Sequence, residues 1–426
     1  MLTAGPQRMV QVTWRLSGLA RSLVTLALGA LAIAVISRRA EFAGLAAPAL
    51  LVLIPRQSSR PGAVGVSLAE GASRLTEGEH GTVLARIAGH DQGTTRLRLH
   101  PAAWILAGPA TAGADGWHRL PFRAERWGLR PIGTLEVILN DRWRLAEARL
   151  LVGLPQVTCL PQPAKLDSLV VLGKLSARLG EHAARSPGEG IEFAGIREFV
   201  PGDRQRRINW PATTRRGTIQ LNTFAAERAQ VTVILLDLRF DVGRPGLSTA
   251  DLAVRAAAGL AAAYLAARDR VGLISFGRQL RWISPAGGRR QADRIMNMIA
   301  IDSGDGEPLA AVSRLPAAAL PPGALIIVVS PLLSLRLVES LRELRERGFA
   351  TIVIDVLCAE PDVGSGLIGS RDRAAARLAR RLWRMEQDAI RFSLRELGIP
   401  VVWWDGRSGL DETLAPYTRR VMVNRA

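Results

Sequence analysis

The stretch Val231-Thr-Val-Ile-Leu-Leu-Asp237 is an almost uninterrupted apolar run that ends on a carboxylate. A strand has this composition when both faces of its sheet are covered, as in parallel sheets flanked by helices. Similar runs recur downstream, and segments of helical length separate them: strands are predicted at 231–237, 271–276, 325–330, 351–357 and 401–404, and helices at 249–268, 335–347 and 370–397. This alternation predicts a doubly wound parallel α/β sheet over residues 230–426, with ligands at the carboxyl ends of its strands.

Two apolar runs near the N-terminus predict a two-helix membrane hairpin within residues 1–60, crossing at 16–55. Residues 22–37 carry no charge, and residues 42–55 form a second run that Pro48 would kink. Each run is short of the roughly 20 residues that span a bilayer. Arginines outside the turn outnumber the two within it, so both termini and the soluble domains are expected on the cytoplasmic side of the inner membrane. A soluble hairpin and a cleaved signal peptide are the alternatives.

Residues 61–165 have the pattern of short strands. Residues 96–99 alternate with period two, residues 134–139 form another apolar strand, and turn signals separate the runs. This spacing predicts a small β-sandwich-like domain. The chain's two cysteines, Cys159 and Cys358, are far apart among apolar neighbours, so they are interpreted as inert core thiols in a reducing compartment.

An arginine-rich segment, residues 166–229, lies between these domains. Its centre is Ser186-Pro-Gly-Glu-Gly-Ile-Glu-Phe-Ala-Gly-Ile-Arg-Glu-Phe-Val-Pro-Gly-Asp203, followed by Arg-Gln-Arg-Arg-Ile-Asn-Trp210 and, further on, Phe224-Ala-Ala-Glu227. Proline followed by glycine favours a turn. Opposite charges crowd around the aromatic residues, which points to ion pairing or to a binding surface.

This segment closely resembles the signature of the bacterial family catalogued as domain of unknown function fifty-eight. That signature reads Gly-x-Glu-Phe, Arg-Glu-aromatic-x-Pro-Gly-Asp, Arg-x-Ile-Asn-Trp, an arginine and Phe-x-x-Glu, and the resemblance extends over nearly the whole chain. It implies a membrane hairpin, a β-domain, the signature segment and a von Willebrand factor A-like domain. Members often accompany AAA+ ATPases of the MoxR type, which implies an adaptor or assembly role.

The von Willebrand resemblance directs attention to the predicted strand ends. Metal-binding domains of that kind present Asp-x-Ser-x-Ser after the first strand, and hard oxygen ligands of this sort suit magnesium. The matching positions here are Asp237, Arg239 and Asp241, and the strand predicted at 325–330 ends at Ser330. Both serines are replaced and an arginine would stand beside the ion, so we expect no metal and no cofactor. Asp237 should instead pair with Arg239 or accept hydrogen bonds from backbone amides.

The signature segment carries the second group of candidate residues, for which three interpretations remain open. Its arginines and carboxylates could pair and dock the segment onto the α/β domain, they could form a protein-binding surface anchored by Trp210, or they could bind single-stranded nucleic acid. The residues concerned are Glu192, Arg197, Glu198, Asp203, Arg206, Arg207, Asn209, Trp210 and Arg215.

The sequence offers no recognisable catalytic constellation. It contains no Gly-x-Ser-x-Gly elbow, phosphate-binding Gly-Lys-Ser/Thr loop or His-Glu-x-x-His motif, and His182 is the only histidine beyond the β-domain. The Gly-x-Gly-x-x-Gly match at residues 364–369 lies six residues after its strand, so it is interpreted as a loop. We therefore expect a protein that is not an enzyme and has no small-molecule substrate.

The net charge of +18 comes almost wholly from arginine, because only Lys165 and Lys174 are lysines among 56 basic residues. An arginine excess spread along an alanine-rich chain is typical of genome composition, so no nucleic-acid partner is expected. The leading hypothesis is a membrane-anchored adaptor that binds a protein partner, namely a MoxR-type ATPase. The alternatives are a metal-dependent ligand-binding receptor and a single-stranded nucleic-acid binder.

Overall fold

The structure is a computed structural model, and it describes residues 7–53, 60–71, 73–90, 93–113, 115–166, 187–200, 205–225, 231–277, 279–302, 317–360 and 370–418. The chain forms two compact units, Met1–Leu160 and Pro161–Ala426. The first contains an apolar N-terminal helix and mostly antiparallel sheets, and the second contains a largely parallel sheet flanked by helices. The protein is therefore a mixed α/β protein, as predicted.

The N-terminal helices pack on each other as a hairpin. They are α1 (Gly18–Ser37), α2 (Glu41–Gly44) and α3 (Ala47–Leu53). Small side chains on α1 and α3 permit close contact, with Ala27, Ala46 and Ala49 buried together. Of the described helices, α1 is long and apolar enough to cross a membrane. The second predicted span differs from expectation: it breaks between α2 and α3, and Pro48 stands in the first turn of α3, where its missing N–H costs no hydrogen bond.

Ser17 fixes the start of α1. Its side chain accepts a hydrogen bond from the Ala20 amide at 3.1 Å and donates one to the Arg144 carbonyl at 2.5 Å. The helix therefore leaves the sheets of the first unit from a buried, capped position. At the other end Arg38 takes the left-handed conformation, with φ of 53°, and closes the helix.

The β part of the first unit comprises thirteen described strands: β1 (Arg8–Gln11), β2 (Arg15–Leu16), β3 (Ala63–Glu70), β4 (Arg74–Thr76), β5 (His80–Ala88), β6 (Thr94–Pro101), β7 (Ile105–Ala107), β8 (Thr111–Ala112), β9 (His118–Ala124), β10 (Gly128–Pro131), β11 (Gly133–Asn140), β12 (Ala146–Gly153) and β13 (Gln156–Leu160). Two sheets, β1-β3-β5-β9-β7 and β2-β12-β11-β6, contribute alternate residues to one buried core that includes Val83, Leu120, Leu135 and Val137. Both predicted strands lie here, in β6 and β11. β1 and β2 were not predicted, because both are short and precede the strong membrane-helix signal.

The described part of the signature segment forms a hairpin and a short helix. Strand β14 (Pro187–Glu198) pairs antiparallel with β15 (Gln220–Ala225), and a 3-10 turn (Gln205–Arg207) and helix α4 (Trp210–Arg216) lie between them. Asn209 caps α4, since its side chain accepts from the Ala212 amide at 3.0 Å. Gly217 ends the helix with φ of 70°, a left-handed conformation that glycine adopts without strain.

The six-stranded sheet of the second unit has the strand order β18-β17-β16-β19-β20-β21, and all its pairs are parallel except β17–β18. Its strands are β16 (Val231–Asp237), β17 (Arg270–Phe276), β18 (Leu280–Ala286), β19 (Leu325–Ser330), β20 (Ala350–Asp355) and β21 (Val401–Trp403). The flanking helices are α5 (Thr249–Ala266), α6 (Arg289–Ile301), α7 (Leu335–Glu346), α8 (Ser370–Glu396) and α9 (Leu410–Leu414).

Every strand and helix predicted for this sheet is present, with ends shifted by no more than two residues. The sequence did not reveal β18 or α6. β18 is an antiparallel edge strand that contains Pro285 and alternates polar with apolar residues, so it lacks the continuous apolar run used to find the others. Helix α5 is alanine-rich because it is buried nearly all round, and a capping box between Ser248 and Asp251 starts it.

Candidate functional site

The carboxyl ends of β16 and β19 bring two predicted site residues together. The strands are adjacent and parallel, with Leu236 opposite Val329, so Asp237 and Ser330 end side by side. Both are fully buried. The Ser330 hydroxyl donates to Asp237 Oδ2 at 2.8 Å and accepts from the Leu332 amide at 2.9 Å.

Arg239 occupies the remaining space around the Asp237 carboxylate. Its Nε donates to Oδ1 at 2.8 Å and its Nη2 donates to Oδ2 at 3.1 Å, while its backbone amide lies 3.3 Å from Oδ1. The Arg239 and Asp237 side chains are 5% and 0% exposed, so water does not screen the pair. Both oxygens of the Asp237 carboxylate therefore already accept hydrogen bonds from the Arg239 guanidinium, and protein donors satisfy the carboxylate.

Aromatic rings hold the guanidinium of Arg239 in place. Its central carbon lies 5.5 Å from the Phe276 ring centroid and 6.0 Å from that of Phe240. The Leu238 amide donates to the Phe276 carbonyl at 2.7 Å, which ties the loop after β16 to the end of β17. The charge is therefore enclosed by an ion pair and by cation–π contacts.

Asp241 does not join Asp237. It is exposed, and its Oδ1 lies 3.4 Å from the Ala250 amide at the start of α5. Thr249 holds the backbone on both sides of Asp241. Its hydroxyl donates to the Phe240 carbonyl at 2.8 Å and accepts from the Val242 amide at 2.9 Å. Among the described residues no three His, Cys, Asp or Glu side chains are grouped as a metal site.

Of the further buried carboxylates in the same unit, Asp302 and Asp355 have a raised pKa, and neither was singled out from the sequence. Asp302, directly after α6, accepts a hydrogen bond from the Ser275 hydroxyl, and Arg281 Nε lies 3.9 Å from its Oδ1. Burial raises the pKa of Asp302, and the bond from Ser275 opposes that rise. Because α6 was not predicted, nothing in the sequence pattern placed this acid beside β17.

Asp355 ends β20 and binds Arg391 of α8, with 2.7 Å between Oδ2 and Nε. Burial raises the pKa of Asp355, and the positive charge of Arg391 opposes the rise. A cavity of about 300 Å³ lies beside this pair, and Trp383, Gln387 and Trp403 are among its lining residues. The sequence did contain a signal for Asp355, because it is an ionisable residue inside the apolar run predicted as a strand at 351–357. Such a residue marks the point where a buried strand ends, as Asp237 does.

The residues of the signature segment are mostly solvent-exposed where the structure describes them. Arg206, Trp210 and Arg215 are exposed, with 66% of Trp210 accessible, while Arg197 and Asn209 are half-buried and Glu198 is exposed. Only the backbone of Glu192 and Arg207 is described, and Asp203 lies outside the described residues.

Asn209 has a structural role in the segment. It caps α4, and its Nδ2 donates to Asn222 Oδ1 of β15 at 2.8 Å, so it fixes the helix to the hairpin. The sequence analysis included Asn209 among residues for partner binding or domain docking, and in the structure both ends of its amide form hydrogen bonds within the segment. Among the described residues no carboxylate lies within ion-pair distance of Arg206 or Arg215.

These features define the second unit as an α/β domain whose strand-end carboxylate is closed by an internal arginine and whose preceding hairpin carries an exposed tryptophan. Residues 195–368 match the family described as "Protein of unknown function DUF58", which confirms the resemblance seen in the signature. The likeness to this family is thus seen over residues 195–368 of the chain.

Relatives in mycobacteria share part of this chain. It is 31% identical over 136 residues to "Uncharacterized protein Mb1516" of Mycobacterium bovis and to "Uncharacterized protein Rv1480" of Mycobacterium tuberculosis. Each match covers 31% of this chain and 43% of the relative, so the chain matches less than half the length of these relatives.

Proposed function

We propose that this protein is a membrane-anchored, non-enzymatic adaptor that binds a protein partner through its signature segment. The proposed partner is a MoxR-type AAA+ ATPase, as the family resemblance implies. In this proposal the α/β unit is von Willebrand factor A-like and works in the cytoplasm, and the helical hairpin crosses the inner membrane twice.

The exposure of Trp210 carries the proposal. Tryptophan loses much apolar area when it is buried in a partner, and such residues dominate the energetics of protein interfaces. Trp210 is the first residue of α4, which is capped by Asn209 and fixed to β15. Its side chain is therefore held out from a rigid base, which reduces the entropy lost on binding.

The charges around Trp210 indicate what kind of partner would fit. Arg206 precedes it and Arg215 follows it, and both are exposed without a carboxylate partner among the described residues. Arginines at the rim of an interface steer an acidic surface toward it and accelerate association. We therefore expect the partner to present a pocket for an indole ring bordered by Asp or Glu.

The strand-end site favours an adaptor over a metal-dependent receptor. The carboxyl ends of β16 and β19 are where the von Willebrand resemblance places its metal-binding loops, but there the Asp237 carboxylate binds Arg239 and Ser330. A divalent cation would have to displace a buried guanidinium. Single-stranded nucleic acid is also less favoured, since stacking of successive bases calls for several exposed aromatic residues, and Trp210 is the one exposed aromatic side chain that the structure describes in this segment.

A photo-crosslinking experiment in the native host tests the proposal. A photoreactive phenylalanine analogue replaces Trp210 in the full-length protein, and the matched control carries it at Trp282, which is also exposed and lies in the same unit. Illumination should give a covalent product with an AAA+ ATPase from position 210 and none from position 282. If position 210 crosslinks to no protein, or if both positions give the same products, the proposal is contradicted.

A further inference from the structure

Helix α8 has two apolar faces, of which the sheet covers one. Leu394 and Ala376 are buried on the inner face. On the opposite face Leu378, Leu382, Met385 and Phe392 are exposed by 57% to 63%. Large apolar side chains that stay exposed in a contiguous row mark an interaction surface.

The four outer residues form one straight stripe. With Ala389, which is also exposed, they are spaced by four, three, four and three residues. At 3.6 residues per turn this spacing keeps all five within an arc of about 80°. The stripe covers little more than two heptads, whereas a coiled-coil seam is expected to persist for three or four. Pairing with a second copy is therefore not the favoured use.

Positive charge borders the stripe along one side. Arg377, Arg381, Arg384 and Arg395 are exposed there with one acidic residue, Asp388, and between Ala374 and Glu396 six arginines stand against three acidic residues. No carboxylate lies within ion-pair distance of Arg377 or Arg381 among the described residues, while Arg384 binds Glu360. Leucine, methionine and phenylalanine beside a row of arginines is the pattern of a helix that lies in an anionic lipid surface.

Trp403 extends the stripe at the end of the helix. It is 54% exposed, and its Nε1 donates to the Leu357 carbonyl at 3.0 Å. It lines a cavity with Phe392 and Arg395 that has a volume of about 680 Å³. Tryptophan is enriched at membrane–water interfaces because its ring is apolar and its N–H is polar.

From the stripe, its arginine border and Trp403 we infer that α8 docks on an anionic phospholipid surface. The long apolar helix α1 would hold the chain at a membrane, so α8 needs only weak affinity for lipid at high local concentration. Leu378, Leu382, Met385 and Phe392 would enter the acyl boundary, and the arginines would contact the phosphates. The inference makes no use of Trp210, so its failure would leave the proposed partner binding untouched.

An environment-sensitive fluorophore at position 385 tests this inference in the full-length protein. The variant Met385→Cys is labelled in a Cys358→Ser background, because Cys358 is exposed and Cys159 is buried. The protein is reconstituted into vesicles of phosphatidylcholine alone, or of phosphatidylcholine and phosphatidylglycerol in equal parts. The matched control carries the label at Glu386→Cys, about 100° further round the same helix.

In anionic vesicles the fluorescence at position 385 should shift to the blue and be quenched by spin-labelled lipid, whereas position 386 should remain in water. Both effects should fall several-fold in neutral vesicles and in the Arg377→Gln/Arg381→Gln double variant. A label at 385 that stays in water on anionic vesicles overturns the inference. A label at 385 that shifts to the blue but is not quenched by spin-labelled lipid also overturns the inference, because that result would assign the stripe to protein contact.

Discussion

The guanidinium of Arg239 binds both oxygens of the Asp237 carboxylate, at 2.8 Å and 3.1 Å, inside a strand-end site that solvent does not reach. The two residues are only two positions apart, so the loop after β16 contains its own counter-ion. A positive charge thus lies where a divalent cation would need to bind. This pair is the clearest difference between the site and the metal centre that the von Willebrand resemblance suggested.

Replacing Arg239 should destabilise the α/β unit strongly. Arg239→Ala leaves the buried Asp237 carboxylate without its counter-ion, a change that typically costs about 3–5 kcal/mol in the free energy of unfolding. The double variant Asp237→Asn/Arg239→Met removes both charges and should recover most of that loss. Denaturant unfolding of the full-length protein in detergent measures both. Equal losses in the single and double variants would show that the charge pair is not the cause.

Magnesium should leave the wild-type protein unchanged. A ligand that binds only the folded state raises the unfolding midpoint once its concentration exceeds its Kd, and the rise grows with the logarithm of ligand concentration. Because the Asp237 carboxylate is already bound by Arg239 and Ser330, millimolar Mg²⁺ should not move the thermal midpoint. A clear Mg²⁺-dependent rise would revive the metal-dependent receptor as the function of this site.

The variant Arg239→Ser asks whether the arginine closes a site that is otherwise competent. It restores the first of the two missing serines beside Asp237 and removes the positive charge. Any stabilisation by Mg²⁺ should therefore be larger in this variant than in the wild type, and its thermal midpoint with and without Mg²⁺ gives the comparison. A larger shift in the wild type would contradict this explanation.

Stability should depend on pH through Asp302, whose pKa is raised by burial. Between the unfolded pKa of about 3.9 and the raised folded value, the folded state binds more protons than the unfolded state. The free energy of unfolding therefore falls as pH rises through that window. Asp302→Asn cannot titrate, so the variant should gain stability relative to wild type as pH rises above about 4. Thermal midpoints at a series of pH values give the comparison, and a difference that is constant with pH would be the wrong result.

Gly259→Ala should destabilise the protein although it adds a better helix former. A Cβ there would lie 2.5 Å from the Ala164 carbonyl oxygen, in the chain that crosses α5 and whose Ala164 amide donates to the Arg255 carbonyl. Displacing that backbone should cost about 1–3 kcal/mol, which outweighs the gain of about 1 kcal/mol in helix propensity. Denaturant unfolding measures the net effect, and a more stable variant would show that residues 161–166 yield easily.

Much of the α/β sheet was predictable because buried parallel strands are continuous apolar runs. Asp237 and Ser330 were placed at strand ends from the sequence, and the strand order of the structure makes those ends neighbours. β18 could not be found in this way, because an edge strand is half exposed and carries Pro285. Asp302 was missed because it directly follows α6, which packs near that edge and was not predicted either.

The signature segment was recognisable but its geometry was not. Asn209 is a helix cap, a role that becomes clear only once the bounds of α4 are known. The sequence left open whether its arginines dock internally or face a partner, and that choice depends on exposure. The stripe on α8 was likewise hidden, because a helix with two apolar faces has the same composition as one that is buried on both.

Affinity purification of the full-length, detergent-solubilised protein from its own host shows whether the signature segment binds an AAA+ ATPase. Quantitative mass spectrometry compares the wild type with Arg206→Ala/Trp210→Ala and with the control Trp282→Ala. We expect an AAA+ ATPase to be recovered with the wild type and the control, and to be reduced at least tenfold with the double variant. Recovery that is equal in all three, or no AAA+ ATPase with the wild type, would contradict it.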